Sequence, residues 1–340
     1  MTKKKIAIIG NGIAANTFLF LFLEKMTELN LEKNYVITQF FDEKMFPNAS
    51  ENAGAVVSTF GAERGLSPLG DVIVDSFKAF KEFSEKHCFD SVRSLEIEHI
   101  TSKSHPENIQ KFKKRFSNKE ISENENFLKT QYLGYSVDPK TYLQELKDKI
   151  QKFENCELYT NDGAVVSIEN ESLRTFDKNQ YFFDKLINCS GAYGDFLEDE
   201  GPWKKKSFGS YLDIQLPQGL SLDQKLRVFV FNNMNVIYKP SLNLVRVGAT
   251  TLNEKFIDRP FEKSKLLQNF FSFLDYKKIE GLNKDDIDIQ LVSGIRAKGK
   301  KRMPFWGEVK GNHLALTNLY KNGIMYAVLG SREILKSLLD

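Results

Sequence analysis

A chain of 340 residues with 41% hydrophobic and 27% charged side chains has apolar material for one or two buried cores, which excludes a wholly disordered protein. Forty-eight basic against 45 acidic residues leave a formal charge of +3, too little to drive binding to nucleic acid or to an anionic membrane, so the substrate must be read from motifs. Cys88, Cys156 and Cys189 are too few and too scattered for a disulfide framework and form no CxxC pair, so a reducing cytoplasm is the expected compartment.

Taken from the start of the chain, the basic MTKKK and the apolar-rich stretch 6–23 imitate a secretion signal. Asn11, Gly12, Asn16 and Thr17 interrupt it, and no small-residue cleavage site precedes the charges that begin at Glu24. No later stretch reaches the roughly 18–20 apolar residues a membrane span needs. Residues 5–9 are β-branched and nearly all apolar, as in a parallel strand buried on both faces. Gly10-Asn11-Gly12-Ile13-Ala14-Ala15 then opens a helix that runs to about Glu28, giving strand, glycine-rich turn and helix in the order of a dinucleotide site. Gly10 permits the tight turn, Gly12 lets backbone approach a pyrophosphate, and small Ala15 lets helix pack on strand. The helix N-terminus, from Ile13 and Ala14 onward, offers N–H groups to the phosphates. Residues 35–41 form the second strand. Asp42, or Glu43 beside it, is the candidate acid for a ribose hydroxyl, somewhat beyond the usual spacing of about 20 residues, and the competing reading is a solvated turn carboxylate. His87, His99, His105 and His313 lack metal-binding spacing, and each is read as structural or solvated; no metal is expected.

Past Asp42, the run Asn48-Ala49-Ser50-Glu51-Asn52-Ala53-Gly54-Ala55-Val56 resembles the D-amino-acid oxidase/glycine oxidase superfamily of FAD enzymes. The likeness recurs in Val137-Asp138-Pro139 before a helix over 140–150, and in Leu186-Ile187-Asn188-Cys189-Ser190-Gly191-Ala192-Tyr193. It continues in the hairpin 236–250, in Gly294-Ile295-Arg296 with Pro304 and Gly307, and in Lys321-Asn322-Gly323-Ile324. Six blocks in the family's order are more specific than a lone nucleotide fingerprint. The resemblance implies non-covalently bound FAD, with no Cys or His evident at the positions some relatives use for covalent attachment. Ser50, Asn52 and Ala53 are then placed to donate to a pyrophosphate and Gly54 to admit the isoalloxazine, although an ordinary Ser/Asn/Gly turn has the same composition. Ser190 and Gly191 end a strand in small residues where bulk would fill the cofactor's space, and Cys189 is a small core residue. Val165 and Val166 sit where the family offers backbone groups to adenine, a plain β-strand being an equal reading.

At the substrate end the resemblance aligns Arg296 with a carboxylate-binding arginine, whose planar fork matches a carboxylate in two parallel hydrogen bonds; a surface ion pair is the bland alternative. Lys321 departs from the pattern, standing where glycine oxidase-like relatives carry another arginine, and a lysine supplies one flexible point charge. That departure argues against the simplest glycine-type substrates. Asn322 belongs to the same block, and Gly323 and Ile324 can present backbone N–H groups to the flavin N1–C2=O edge. Arg246 matches a position where sarcosine oxidase-like relatives carry a lysine facing the flavin, where a cation would favour superoxide; an outward-facing arginine is an equal reading. Tyr238, on the same hairpin, is either a pocket hydroxyl or a core side chain.

The fold class expected is α/β, a Rossmann-like FAD-binding domain of residues 1–85, 134–200 and 291–340 with a second, mainly antiparallel α+β substrate domain of residues 86–133 and 201–290. Lysine-rich 103–126 reads as solvated surface. The activity implied is hydride transfer from a small amino acid or secondary amine to flavin, then to oxygen, a quinone or another acceptor. The matching segments show no compelling His base, which favours an amine over a 2-hydroxy acid. The alternatives are a 2-hydroxy-acid dehydrogenase and a flavin-binding maturation partner acting on another protein.

Overall fold

A computed structural model describes residues 2–42, 49–104, 106–194, 204–253, 259–279, 282 and 287–339. In chain order, β1 (Lys4–Ile9) leads into α1 (Ile13–Glu28) and β2 (Tyr35–Phe41), followed by β3 (Val56–Val57), α2 (Pro68–His87), β4 (Val92–Ser102), α3 (Pro106–Arg115), β5 (Ser122–Glu123) and β6 (Phe127–Val137). After α4 (Pro139–Ile150) come β7 (Glu157–Asp162), β8 (Val165–Glu169), β9 (Ser172–Thr175), β10 (Gln180–Phe182) and β11 (Lys185–Asn188). The remainder is β12 (Lys204–Gln215), β13 (Arg227–Phe231), β14 (Met234–Lys239), β15 (Leu244–Gly248), β16 (Leu252–Asn253), α5 (Arg259–Lys277), β17 (Asp288–Gly299), β18 (Phe305–Lys310), β19 (His313–Thr317) and α6 (Gly323–Leu339).

The first sheet runs β18-β19-β11-β1-β2-β7, parallel from β19 to β7 with β18 antiparallel at the edge. Strand β1 shows why the apolar run 5–9 takes this place. Ile6 and Ile8 enter a core shared with α1, α2, α4 and α6, while Ala7 and Ile9 enter a second core with Phe40, Leu173 and Phe183 under the small antiparallel sheet β8–β10. From Ile6 to Ile9 both faces are covered, so each of those positions needs an apolar side chain. The stretch that imitates a secretion signal is therefore core strand and core helix, with residues 13–23 of α1 all buried. The chain leaves β1 toward β2 and β7 on one side and returns through β11 and β19 on the other. Ligands bind at such a reversal, beyond the C-terminal ends of the strands.

The second sheet is ordered β16-β12-β15-β14-β13-β4-β6-β3, with β17 antiparallel to β12 along its whole length and β5 beside β6. Its pairs are antiparallel except for β4 with β13. Helix α5 covers one face through Leu266, Phe270, Phe273 and Leu274. On the other face Phe112 and Phe116 pack on Ile97, Tyr132, Val228 and Ile237. Segment 103–126 is thus not solvated surface throughout, because two phenylalanines one helical turn apart anchor it. We propose the two-unit division drawn from the sequence, although by hydrogen bonding β6 and β17 each belong whole to the large sheet while the boundaries at 134 and 291 fall within them.

Phe18 of α1 is fully buried in the first core. Phe18→Ala is expected to lower unfolding stability by about 3–5 kcal/mol, read from equilibrium denaturation followed by circular dichroism, because the surrounding helices cannot close the space left.

Candidate functional site

A cavity of 1160 Å³ lies between the two sheets. It exceeds the roughly 300–1,000 Å³ that houses a drug-sized ligand. One end is built at the chain reversal of the parallel sheet. Gly10 has φ +118° and donates its N–H to the Phe40 carbonyl at 2.8 Å, and a Cβ on it would stand 2.6 Å from the Cys189 carbonyl oxygen. Only glycine fits so close an approach of β1 to β11. Gly12 starts α1 with no side-chain cap and no acid in the first turn, leaving an electropositive helix end on the cavity. The Ile13 N–H there donates to Ser50 Oγ at 3.1 Å. Gly10, Gly12, Ile13, Ala14, Asp42, Ser50, Ser190 and Gly191 all line this end. Ala15 is buried in the helix–sheet packing and does not line the cavity. Of the two valines, Val165 lines the cavity, with Ala164 beside it, while Val166 is 49% exposed and does not line it. Glu43 lies outside the described residues.

The loop from Ser50 to Ala55 crosses the middle of the cavity, pinned from four directions. Besides Ser50, Asn52 Nδ2 donates to the Ser293 carbonyl at 3.1 Å, the Ala53 carbonyl accepts from Arg246 at 2.9 Å, and the Ala55 carbonyl accepts from the Val137 N–H at 2.9 Å. Gly54 faces the ring of Tyr211, which a Cβ would approach to 2.5 Å. Period-two alternation decides which residues of the large sheet reach this loop. Val236 and Tyr238 of β14, like Val245 and Val247 of β15, point into the core under α5. Tyr238 is therefore no pocket hydroxyl; it is 1% exposed, with its phenol 2.8 Å from Ser221 Oγ and 3.1 Å from Asn243 Oδ1. Tyr211 lines the cavity in its place. Arg246 lies on the cavity side of β15, but Asp213 holds it through two hydrogen bonds of 2.6 Å. Burial works against its charge, and the Asp213 hydrogen bonds and charge prevail and raise its pKa. It is a neutralised clamp on the Ala53 carbonyl and not a free cation facing the cavity.

The other end of the cavity is cationic. Arg296 on β17, Lys321, Arg302 and Arg115 all line it, and none of them forms an ion pair with an acid among the described residues. The Arg296 guanidinium lies against Gly209, where any Cβ would collide with it, and donates to the Thr250 carbonyl at 3.4 Å. The Tyr320 N–H donates to the Ala297 carbonyl at 3.0 Å, which sets the loop carrying Lys321 beside the strand carrying Arg296. Burial lowers the Lys321 pKa to about 8, helped by repulsion from Arg296, Arg302 and Lys298. Asn322, Gly323 and Ile324 line the cavity at the start of α6, a second helix without an acid in its first turn.

Sequence reasoning missed Arg115, Arg302 and Tyr211, and also Glu262. Glu262 of α5, 2% exposed, accepts from Ser210 Oγ at 3.0 Å and from Thr250 Oγ1. Ser210 Oγ is also 2.9 Å from Ser293 Oγ, and Thr250 Oγ1 accepts from the Ser210 N–H at 2.9 Å. This network holds, from the face away from the cavity, the strands that present Arg296 and the carbonyl it uses. The histidines serve packing: His99 sits among Phe60, Phe112, Phe116 and Tyr132, where burial and then Arg115 push its pKa down to about 3, and His313 lies 2.6 Å from the Asn170 carbonyl. His105 lies outside the described residues. Burial pushes the Cys189 thiol up, as suits an inert core residue. Among the described residues no group of three or more His, Cys, Asp or Glu could hold a metal, and no helix is long and apolar enough to cross a membrane.

A dinucleotide end at a strand reversal, joined to a cationic end beside an antiparallel sheet, defines a flavoprotein oxidoreductase site. The sequence model of the FAD dependent oxidoreductase family matches residues 48–336, and the chain belongs to that family. The cofactor of that family is FAD. Among solved structures, iminodiacetate oxidase from Chelativorans sp. BNC1 is similar at TM-score 0.77 and 12% identity, covering 98% of this chain and 95% of that one. Glycine oxidase from Geobacillus kaustophilus matches at TM-score 0.76 and 15% identity over 100% and 95% of the two chains. Reduced L-alpha-glycerophosphate oxidase from Mycoplasma pneumoniae, with FAD bound, matches at 0.74 and 14% over 100% and 96%. No curated protein matches the chain by sequence. The site fits the cofactor on its own geometry: a glycine at the strand turn that no Cβ could replace, an uncapped helix end, and one cavity joining both to the cations.

Two measurements probe this arrangement. Acetate affinity, followed by titration calorimetry, is expected to fall as pH rises through about 8, because protonated Lys321 attracts the anion and the neutral amine does not; Lys321→Arg should hold the affinity to higher pH. Glu262→Ala removes the acceptor of two buried hydroxyls and is expected to cost about 1–3 kcal/mol in equilibrium unfolding.

Proposed function

We propose that the protein oxidises the C–N bond of a small amino acid or secondary amine in the cytoplasm, with oxygen, a quinone or another acceptor taking the electrons. The observation that carries this reading is Arg296, a guanidinium without an acidic partner, seated on Gly209 and aimed into the same cavity as the dinucleotide turn. Its fork suits a carboxylate and fixes the substrate by the end that does not react. When bound, FAD supplies the hydride acceptor, so the protein's part is to bind and orient. Gly10, Gly12, Ile13, Ala14, Ser50, Asn52, Ala53, Ser190 and Gly191 hold the pyrophosphate and its surroundings, and Asp42 takes the ribose. Lys321 and the backbone N–H groups of Gly323 and Ile324 face the flavin edge, where positive charge favours the reduced cofactor. Among the described residues no histidine lines the cavity. That supports an amine, which needs no dedicated base once bound unprotonated, over a 2-hydroxy acid.

Visible absorption of the purified protein, followed by anaerobic bleaching with D- and L-amino acids, N-methyl amino acids and 2-hydroxy acids, tests the reading. Bleaching by an amine is expected; bleaching by hydroxy acids alone would overturn it. Arg296→Ala should reduce kcat/KM for a carboxylate substrate by about 30- to 1,000-fold, or about 2–4 kcal/mol, and unchanged kinetics would remove its assigned role.

A further inference from the structure

We propose that the substrate carries a second anionic group, a carboxylate or a phosphate, bound by Arg115 and Arg302 at a subsite separate from Arg296. The proposal rests on the amine-oxidation reading and narrows its substrate class. Two arginines from distant parts of the chain, one ending α3 and one between β17 and β18, converge on the same cavity. Arg115 is held in place: its guanidinium stands 4.7 Å over the Phe60 ring, and its Cγ and carbonyl pack on Gly61, where a Cβ would come within 2.6 Å and 2.9 Å of them. Phe112 and Phe116, on either side in sequence, are buried under the large sheet.

What surrounds Arg115 offers no countercharge. Its neighbours are aromatic, and His99 among them is neutral at physiological pH. Burial lowers the Arg115 pKa, Tyr132 opposes that, and Arg302 adds to the lowering. Arginine cannot relieve this by losing a proton. Such a pair is stabilised by an anion placed between its members. Arg115 and Arg302 line the cavity together with Arg296 and Lys321, and neither forms an ion pair with an acid among the described residues. A single substrate carboxylate occupies Arg296 and leaves the Arg115–Arg302 pair unanswered.

The test uses the FAD-loaded enzyme and matched substrates, aspartate against alanine in both stereochemical forms and iminodiacetate against N-methylglycine, with phosphoserine to separate phosphate from carboxylate. The acidic member of at least one pair is expected to show kcat/KM at least about tenfold higher, and Arg115→Gln and Arg302→Gln should each shrink that preference toward parity. Calorimetry with succinate against acetate reads the subsite without turnover: succinate should bind at least about tenfold tighter, and both variants should lose that margin. Arg115 and Arg302 are both exposed, and circular dichroism of each variant separates loss of the subsite from loss of the fold. Equal binding of succinate and acetate, or variants that weaken both alike, would overturn the subsite. If no amine reduces the flavin while succinate still outbinds acetate through Arg115, the amine reading fails and the anion subsite stands.

Discussion

A β-strand can send each side chain to only one of two faces, and the site exists because both sheets use that constraint in opposite ways. In the parallel sheet both faces are buried, so β1 is apolar from Ile6 to Ile9 and chemistry is left to the turn at its end, at Gly10. In the large sheet one face is closed by α5 and the other borders the cavity. Leu212, Ile214, Val236, Tyr238, Val245 and Val247 go to α5, while Tyr211, Asp213, Asn235 and Arg246 go to the other side. The same parity sets Ser293 toward Glu262 and Arg296 toward the cavity, so a buried polar network and a cavity-lining cation share one strand.

Electrostatics then separates residues of the same type. Arg246 and Arg296 come from strands paired to the same β12, and both are partly buried. Arg246 faces Asp213 across the strand pair and is spent on a structural hydrogen bond to Ala53. Arg296 is in register with Ser207 and has only a backbone carbonyl within reach. A cation with a carboxylate at 2.6 Å has little left for a ligand, whereas one with a single long hydrogen bond retains its fork. A cavity lined mainly by the second kind of cation stores repulsion in the ligand-free protein, and that repulsion is relieved when anions bind.

The parts legible in the sequence are those whose cause is local. The turn at Gly10, the helix from Ile13 and the strand ending at Phe41, just before Asp42, each carry their reason within a few residues, and all three stand where expected. The order of the family blocks placed Arg296 and Lys321 at the cavity as well. What escaped depends on partners distant in sequence. Nothing near Arg246 announces Asp213, 33 residues away, and nothing in a lysine-rich helix announces that Arg115 turns into the cavity. Phe112 and Phe116 were the available signal, since two aromatics one turn apart in a polar helix require a surface to cover. Tyr238 could have been settled by parity, because it shares alternation with Val236 and not with Asn235, the β14 residue that does line the cavity.

The lysine at position 321 gains its meaning from the arginines around it. With Arg296, Arg302 and Lys298 pressing on it, a further guanidinium would add a fixed charge that no change of pH within the physiological range could remove. An ammonium with its pKa brought to about 8 can give up its proton, so the charge of the cavity is adjustable at one position and constant at the others. The arginines keep the cavity positive across the physiological range, and Lys321 adds a further charge as pH falls through about 8. The departure from the relatives' arginine is consistent with a site already rich in permanent charge, where the next cation is tolerated only if it can be neutral.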